Sequence, residues 1–212
     1  MTAANNIIPL IIEIRDFLEG LNDIYLKQLL ADWPSTKRVT RSVLPQSLSV
    51  LSYLPAVVKA TTKKTETLVK RLTLMAHHMA WGQTYTAQDL GAGFLEKYGW
   101  TELIGLRGPF ASNRVACGFL LLGPQIEYPS HFHEAEEVYV PLTKKTLWQR
   151  GKQSWGYRTP GRPIYHASRM PHAIRTEAIP LLALYLWRGG NLVQKSMFAA
   201  SRAAFPPRPA HG

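Results

Sequence analysis

The sequence predicts an α+β chain, a helical N-terminal extension followed by an antiparallel β-sandwich or barrel. Three observations carry this. Up to Trp100, apolar residues recur at helical spacing. Beyond it the texture turns to short runs of β-branched, aromatic and Leu residues punctuated by Gly and Pro. Across all 212 residues the composition, 46% hydrophobic and 18% charged, is that of one folded unit with room for a core and excludes a disordered chain. Residues 1–100 are therefore expected to form the helical extension, 101–204 the β domain and 205–212 a Pro-rich tail.

From Asn5 to about Ala31, the positions Ile7, Leu10, Ile14, Phe17, Leu21 and Ile24 step by three and four, which predicts one amphipathic helix. Asn5 or Asn6 is available as cap, Pro9 is tolerable in a first turn, and Trp33-Pro34-Ser35-Thr36 closes the segment. Further helical patterns cover Leu44 to Ala60, Thr65 to Trp81 and Ala87 to Tyr98, separated by Pro55 and Gly82. Strands are predicted over Val115 to Leu122, Glu137 to Leu142, Thr146 to Arg150, Ser154 to Arg158, Arg162 to His166 and Leu181 to Trp187. Phe205-Pro206-Pro207-Arg208-Pro209 reads as an extended surface segment, and no internal repeat is present.

The single Cys117 cannot form an internal disulfide, and without a cysteine cluster any metal must sit on His and carboxylate ligands. The longest early apolar stretch, Ile7 to Ile12, is broken by Glu13 and has no basic segment before it, so neither a signal peptide nor a membrane span is supported and a cytoplasmic protein is expected. The formal charge of +11 permits a nucleic-acid or anionic-surface partner. Its carriers, among them Lys37, Arg38, Lys63, Lys64, Arg71, Lys144, Arg150, Arg162 and Arg175, are dispersed, so no specific nucleic-acid site is expected.

The informative segment is Tyr128-Pro129-Ser130-His131-Phe132-His133-Glu134-Ala135-Glu136-Glu137-Val138-Tyr139. Read as a strand through its second half, it places His131, His133, Glu137 and Tyr139 on one face and Phe132, Glu134, Glu136, Val138 and Val140 on the other. The pattern is inverted from an ordinary half-buried strand, because polar groups occupy the face that would point inward. Two imidazoles and a carboxylate suit a divalent transition metal, and His172 in Pro171-His172-Ala173-Ile174 is the candidate to complete the set.

The spacing His131-x-His133, Glu137 and a later His172 resembles the metal motif of the cupin superfamily, which implies a cupin-like antiparallel β-barrel for the second half of the chain. Two glycines of the general pattern are replaced, one around Lys144 and one by Arg169, which points to a particular branch. Tyr128-Pro-Ser-His131-x-His133, Ala135-Glu136-Glu137-Val-Tyr139, Pro171-His172-Ala173 and Trp187 after Leu184-Tyr185-Leu186 resemble the cupin-type dimethylsulfoniopropionate (DMSP) lyases, the DddQ/DddL-like family of marine bacteria. The resemblance implies a metal held by His133, Glu137 and His172, with His131 matching the first His of the pair, and Tyr139 as the general base. The ion could be zinc, iron, manganese, cobalt or nickel. The implied reaction is elimination from DMSP, a zwitterionic sulfonium substrate, to acrylate and dimethyl sulfide.

That chemistry also makes demands of its own. Removing a proton alpha to a carboxylate builds charge beside an anion, which a Lewis acid relieves. A phenol with an ordinary pKa of ~10 needs a nearby cation to serve as base. A sulfonium offers no hydrogen-bond donor and prefers aromatic faces, for which Tyr128, Trp187, Trp155 and Tyr157 are candidates, Tyr128 also being able to share the base role. The rival readings are a metal-dependent cupin oxygenase or isomerase, and a non-catalytic ligand-binding cupin. Adjacent His77 and His78 cannot chelate one ion from a helix, His166 reads as a strand-edge residue, Cys117 as an inert core thiol, and Ser130 has no acid-base relay. A homodimer is the expected assembly if the first helix covers a second subunit.

Overall fold

The computed structural model describes residues 3–37 and 39–199, so the expected Pro-rich tail lies outside the described residues. The helical half contains α1 (Ala3–Gly20), α2 (Ile24–Leu30), a 3-10 turn at Ser49–Tyr53, α3 (Leu54–Lys59), α4 (Glu66–Met75) and a second 3-10 turn at Ala76–His78. After β1 (Trp81–Gly82) come two single-turn helices, α5 (Ala87–Leu90) and α6 (Ala92–Leu95). The strands then follow as β2 (Tyr98–Gly105), β3 (Phe110–Ala111), β4 (Val115–Leu122), β5 (Glu127–Phe132), β6 (Glu136–Pro141) and β7 (Thr146–Arg150). The last five are β8 (Gly156–Arg158), β9 (Ile164–His166), β10 (His172–Thr176), β11 (Leu181–Arg188) and β12 (Met197–Phe198). Among the described residues no helix is long and apolar enough to cross a membrane.

The helix expected from Asn5 to Ala31 is two helices. Asn22 adopts a left-handed φ of 52° and Asp23 starts α2, its carboxylate accepting from the Tyr25 and Leu26 N–H groups. The restart rotates the apolar stripe, so Ile24 is 65% exposed instead of buried. The single helix expected over Ala87 to Tyr98 is likewise broken, by Gly91 at φ +82°, and the chain enters β2 at Tyr98. Residues 44–48 are not helical; Gln46 instead bridges to Ala80.

The strands form two antiparallel sheets with one parallel pairing, β2 with β3. The larger runs β1-β2-β4-β11-β6-β9 with β3 beside β2, and the smaller β12-β5-β10-β7-β8. Facing each other, they make the cupin-like β-barrel that the His-x-His spacing implies. Side chains of the larger sheet alternate between two cores. Val115, Cys117, Phe119 and Leu121 of β4, Val138 and Val140 of β6, and Leu182, Leu184 and Leu186 of β11 point outward and pack under Leu10, Ile11, Ile14 and Leu18 of α1 and the buried face of α4. Burial of each such side chain stabilises the fold by ~1.5–3 kcal/mol.

The opposite parity, including Leu120, Leu122, Tyr139, Leu181 and Ala183, faces the barrel interior with Tyr128, Trp148 and Ile174. The inversion of the His-rich segment thus has its reason. The helical layer buries the face that would be wet in an ordinary half-buried sheet, so Val138 and Val140 of β6 point out to the helices while Glu137 and Tyr139 point in. The two replaced cupin glycines also leave a trace, since Lys145 (φ 58°) and Arg169 (φ 61°) keep the left-handed backbone that glycine favours.

Candidate metal centre

The His-rich segment is not one strand. β5 ends at Phe132, residues 133–135 cross from the smaller sheet to the larger, and β6 begins at Glu136. His133 therefore sits in the crossing turn, His131 on β5, and Glu137 and Tyr139 on the inward face of β6. His172 opens β10 in register with His131, while Trp187 and His166 flank Glu137 on its two neighbouring strands.

His133 Nε2 lies 3.0 Å, and His172 Nε2 3.2 Å, from the same Glu137 oxygen, Oε2. Among the described residues, His133, Glu137 and His172 form a group whose ligand atoms all lie within 4.8 Å of one another, and all three are buried. The tautomers are fixed from behind. Nδ1 of His133 donates to the Ala135 carbonyl at 2.9 Å and Nδ1 of His172 to the Met170 carbonyl at 3.0 Å, which leaves each Nε2 facing the carboxylate as the nitrogen available to bind a cation. His172 Nε2 makes no hydrogen bond among the described residues, whereas His133 Nε2 is within hydrogen-bond distance of Glu137 Oε2. Two lone pairs converging on a carboxylate oxygen repel unless a cation lies between them, which is the donor set and polarity of a divalent-metal site. Burial alone pushes the Glu137 carboxyl up, but positive charge at the His133 and His172 positions outweighs it and holds the carboxyl well below the usual carboxylate range.

His131 stands beside this group and not within it. Its Nδ1 donates to the Pro129 carbonyl at 2.8 Å, and its ring is stacked on Tyr128 at 3.9 Å and edge-on to His172 at 4.2 Å. Trp187 is tied to the ligands directly, since its Nε1 donates to Glu137 Oε1 at 2.6 Å and its ring stacks on His133 at 4.1 Å. Tyr139 lies on the same inward face, where burial and then the Glu137 carboxylate push its phenol well above its ordinary value. Tyr128 hydrogen-bonds Tyr85 at 2.8 Å between the hydroxyl oxygens, and burial raises both phenols.

Glu137, Tyr139, Tyr128 and Trp187 open onto a partly enclosed cavity with about 560 Å³ of empty space when its mouth and the open solvent there are included. Trp155 and Tyr157 do not reach it. Tyr157 pairs with Leu147 on the outward parity of the β7–β8 hairpin, is 58% exposed and donates to Glu177, and Trp155 lies under the Arg175 guanidinium at 4.4 Å. Both are withdrawn as sulfonium contacts.

His166 also differs from expectation. It lies on the edge strand β9, but its ring is fully buried against His172 at 4.2 Å, neither nitrogen has a hydrogen-bond partner, and burial followed by His172 holds its pKa well below the ordinary value. Sequence reasoning missed Tyr85, Trp100, Glu102 and Tyr185. Tyr185 shares the parity of Trp187 and was findable on that ground; the others enter the site from segments with no motif.

The model of the dimethylsulfoniopropionate lyase family matches residues 26–183. The chain belongs to that family. It is 38% identical over 109 residues to the dimethylsulfoniopropionate lyase DddQ of Ruegeria pomeroyi, a stretch covering 51% of this chain and 54% of that protein. The chain spans about half the length of the curated relatives it matches. Among solved structures, one chain from the crystal structures of the DMSP lyases RdDddP and RnDddQII superposes with a TM-score of 0.83 at 26% identity, covering 93% of this chain and all of that one. The crystal structure of DddQ from R. pomeroyi gives 0.62 at 28% identity, over 86% of this chain and 96% of the other. The residues matched by the family run from within α2 to the first residues of β11, so they take in most of the helical half as well as the strands up to that point.

Proposed function

We infer that the protein is a metal-dependent carbon–sulfur lyase that cleaves DMSP to acrylate and dimethyl sulfide by base-initiated β-elimination. The observation that carries this reading is the convergence of His133 Nε2 and His172 Nε2 on Glu137 at the edge of an aromatic cavity, in a chain of the DMSP lyase family. A divalent ion held by these three side chains would supply a Lewis acid for the substrate carboxylate and lower the pKa of a neighbouring phenol.

The chain's own residues supply the rest. Trp187 orients the Glu137 carboxylate, and the Ala135 and Met170 carbonyls fix the imidazole tautomers. Tyr139, as phenolate, takes the proton from the substrate carbon alpha to the carboxylate. The C–H electron pair becomes the second bond of the alkene, the C–S bond breaks with its pair going to sulfur, and neutral dimethyl sulfide leaves acrylate behind. The Tyr139 phenol then returns its proton to solvent. Tyr128, held by Tyr85 and stacked on His131, walls the same cavity and is the second phenol in reach.

Headspace detection of dimethyl sulfide from DMSP and metal-replete protein tests the reading. Tyr139→Phe removes only the hydroxyl and should lower turnover by about 10²–10⁴ with the metal retained. Absence of dimethyl sulfide from the metal-replete wild type would remove the lyase reading, and near wild-type release from Tyr139→Phe would pass the base role to Tyr128.

A further inference from the structure

We propose that Glu102 is a substrate-binding residue, the anionic wall that receives the sulfonium cation at the end of the cavity away from the metal ligands. The inference rests on DMSP being the substrate and adds a residue that neither the His-x-His motif nor the aromatic contacts include. Glu102 belongs to β2, on the same parity as Tyr98 and Trp100, and all three line the cavity that Glu137 and Tyr139 enter from the other side.

Strand register gives its position. Glu102 pairs with Gly118, Gly118 with Tyr185, and Tyr185 with Tyr139, so the carboxylate and the proposed base occupy one transverse row of the sheet. Their strands are three spacings, about 14 Å, apart at the backbone, with Tyr185 of β11 in the same row between them and lining the same cavity. Gly118 has no side chain, and the Tyr185 hydroxyl takes that space, lying 2.9 Å from where a Cβ would stand.

The fold also holds this carboxylate in place. The register slips between Glu102 and Ile104, a bulge of the kind that re-aims a side chain. Gly105 leaves room for it, since a Cβ there would lie 2.5 Å from Glu102 Oε1. That oxygen accepts the Arg107 N–H at 2.5 Å and the Gly108 N–H at 2.9 Å. The other oxygen, Oε2, has the Arg107 guanidinium at 4.0 Å, beyond hydrogen-bond reach. The chain thus fixes one oxygen with two backbone donors and leaves the other to interact through charge alone. A trimethyl-like sulfonium group, with no donor to offer, interacts in that same way, beside the Trp100 ring over which the Arg107 guanidinium lies at 5.3 Å. The cations facing Glu102 are Arg107 and Arg41; burial raises its pKa and the two N–H groups oppose that rise.

The test compares DMSP with its neutral carbon isostere, 4-methylpentanoate, by calorimetric titration of metal-loaded protein. Glu102→Gln keeps an oxygen for the two N–H donors and deletes the charge. The preference for DMSP over the isostere should shrink by about tenfold, with isostere affinity and metal content unchanged. Arg107→Met removes the competing cation and should move the preference several-fold the other way, a response that a purely structural Glu102 would not give. An unchanged preference in both variants, with dimethyl sulfide still released by wild type, overturns the Glu102 assignment alone. A wild type that releases none and binds neither compound overturns the DMSP reading, and this inference with it.

Discussion

Glu137 is the residue on which the site converges, because one carboxylate oxygen faces both imidazoles and the other accepts the Trp187 N–H. Trp187→Phe keeps a ring against His133 but deletes the donor, so metal affinity should fall by about 10–100-fold, read by competition with a chromogenic chelator. Unchanged affinity would reduce Trp187 to a packing residue. That His133, Glu137 and His172 come together was legible in the sequence because they lie in a short motif with one distant return. Trp187 was legible as a neighbour, but its indole donor was not, because the bond depends on β11 lying beside β6. Glu102 and Tyr85 carried no signal: one is a lone acid before a bulge, the other a tyrosine in a segment between helices. His166 was misread because an edge strand of a closed interior can still point its side chain inward.

At the scale of elements, one contact ties the helical half to the cavity mouth. The Asp89 carboxylate closes the capping box of α5 with Thr86 and accepts Lys195 Nζ at 2.8 and 2.9 Å, anchoring the segment from which Leu192, Gln194 and Ser196 line the cavity. The Lys195 hydrogen bond first, then Thr86, holds the Asp89 carboxyl down at about 2 instead of 3.8. A depressed carboxyl pKa means that the folded state resists protonation. The anchor is therefore fully present above the ordinary value of 3.8 and is lost as pH falls toward 2. Asp89→Asn should reproduce that loss at neutral pH as faster amide exchange over residues 192–196, with the barrel strands still protected; protection equal to wild type would show that the anchor is not needed. Val115–Leu122 and Thr146–Arg150 matched their expected bounds because apolar runs between turn residues are unambiguous. β5 and β10 escaped notice because their residues are polar for the site's sake, and the paired residues of β1, β3 and β12 are too few to show a period.

For the whole molecule, the three candidate ligands join the two sheets: Glu137 belongs to the larger, His172 to the smaller, and His133 to the turn between them. An ion bound at about 100 times its Kd would add ~2.7 kcal/mol, so chelation should lower the melting temperature by about 5–10 °C in calorimetry. A melting temperature indifferent to chelator would separate the ion from the cohesion of the barrel. The order of the strands also bears on how the chain acquires this structure. From β4 to β12 the chain passes back and forth between the sheets, placing β4, β6, β9 and β11 in one and β5, β7, β8, β10 and β12 in the other. The centre of the larger sheet waits for β11, and β5 cannot gain its partner β10 until some forty residues later have been positioned. Half a barrel is therefore not a stopping point on the way to the native state. The two sheets must close in one slow, non-local step, and the apolar outer face of β4, β6 and β11 stays vulnerable to association until the N-terminal helices dock on it.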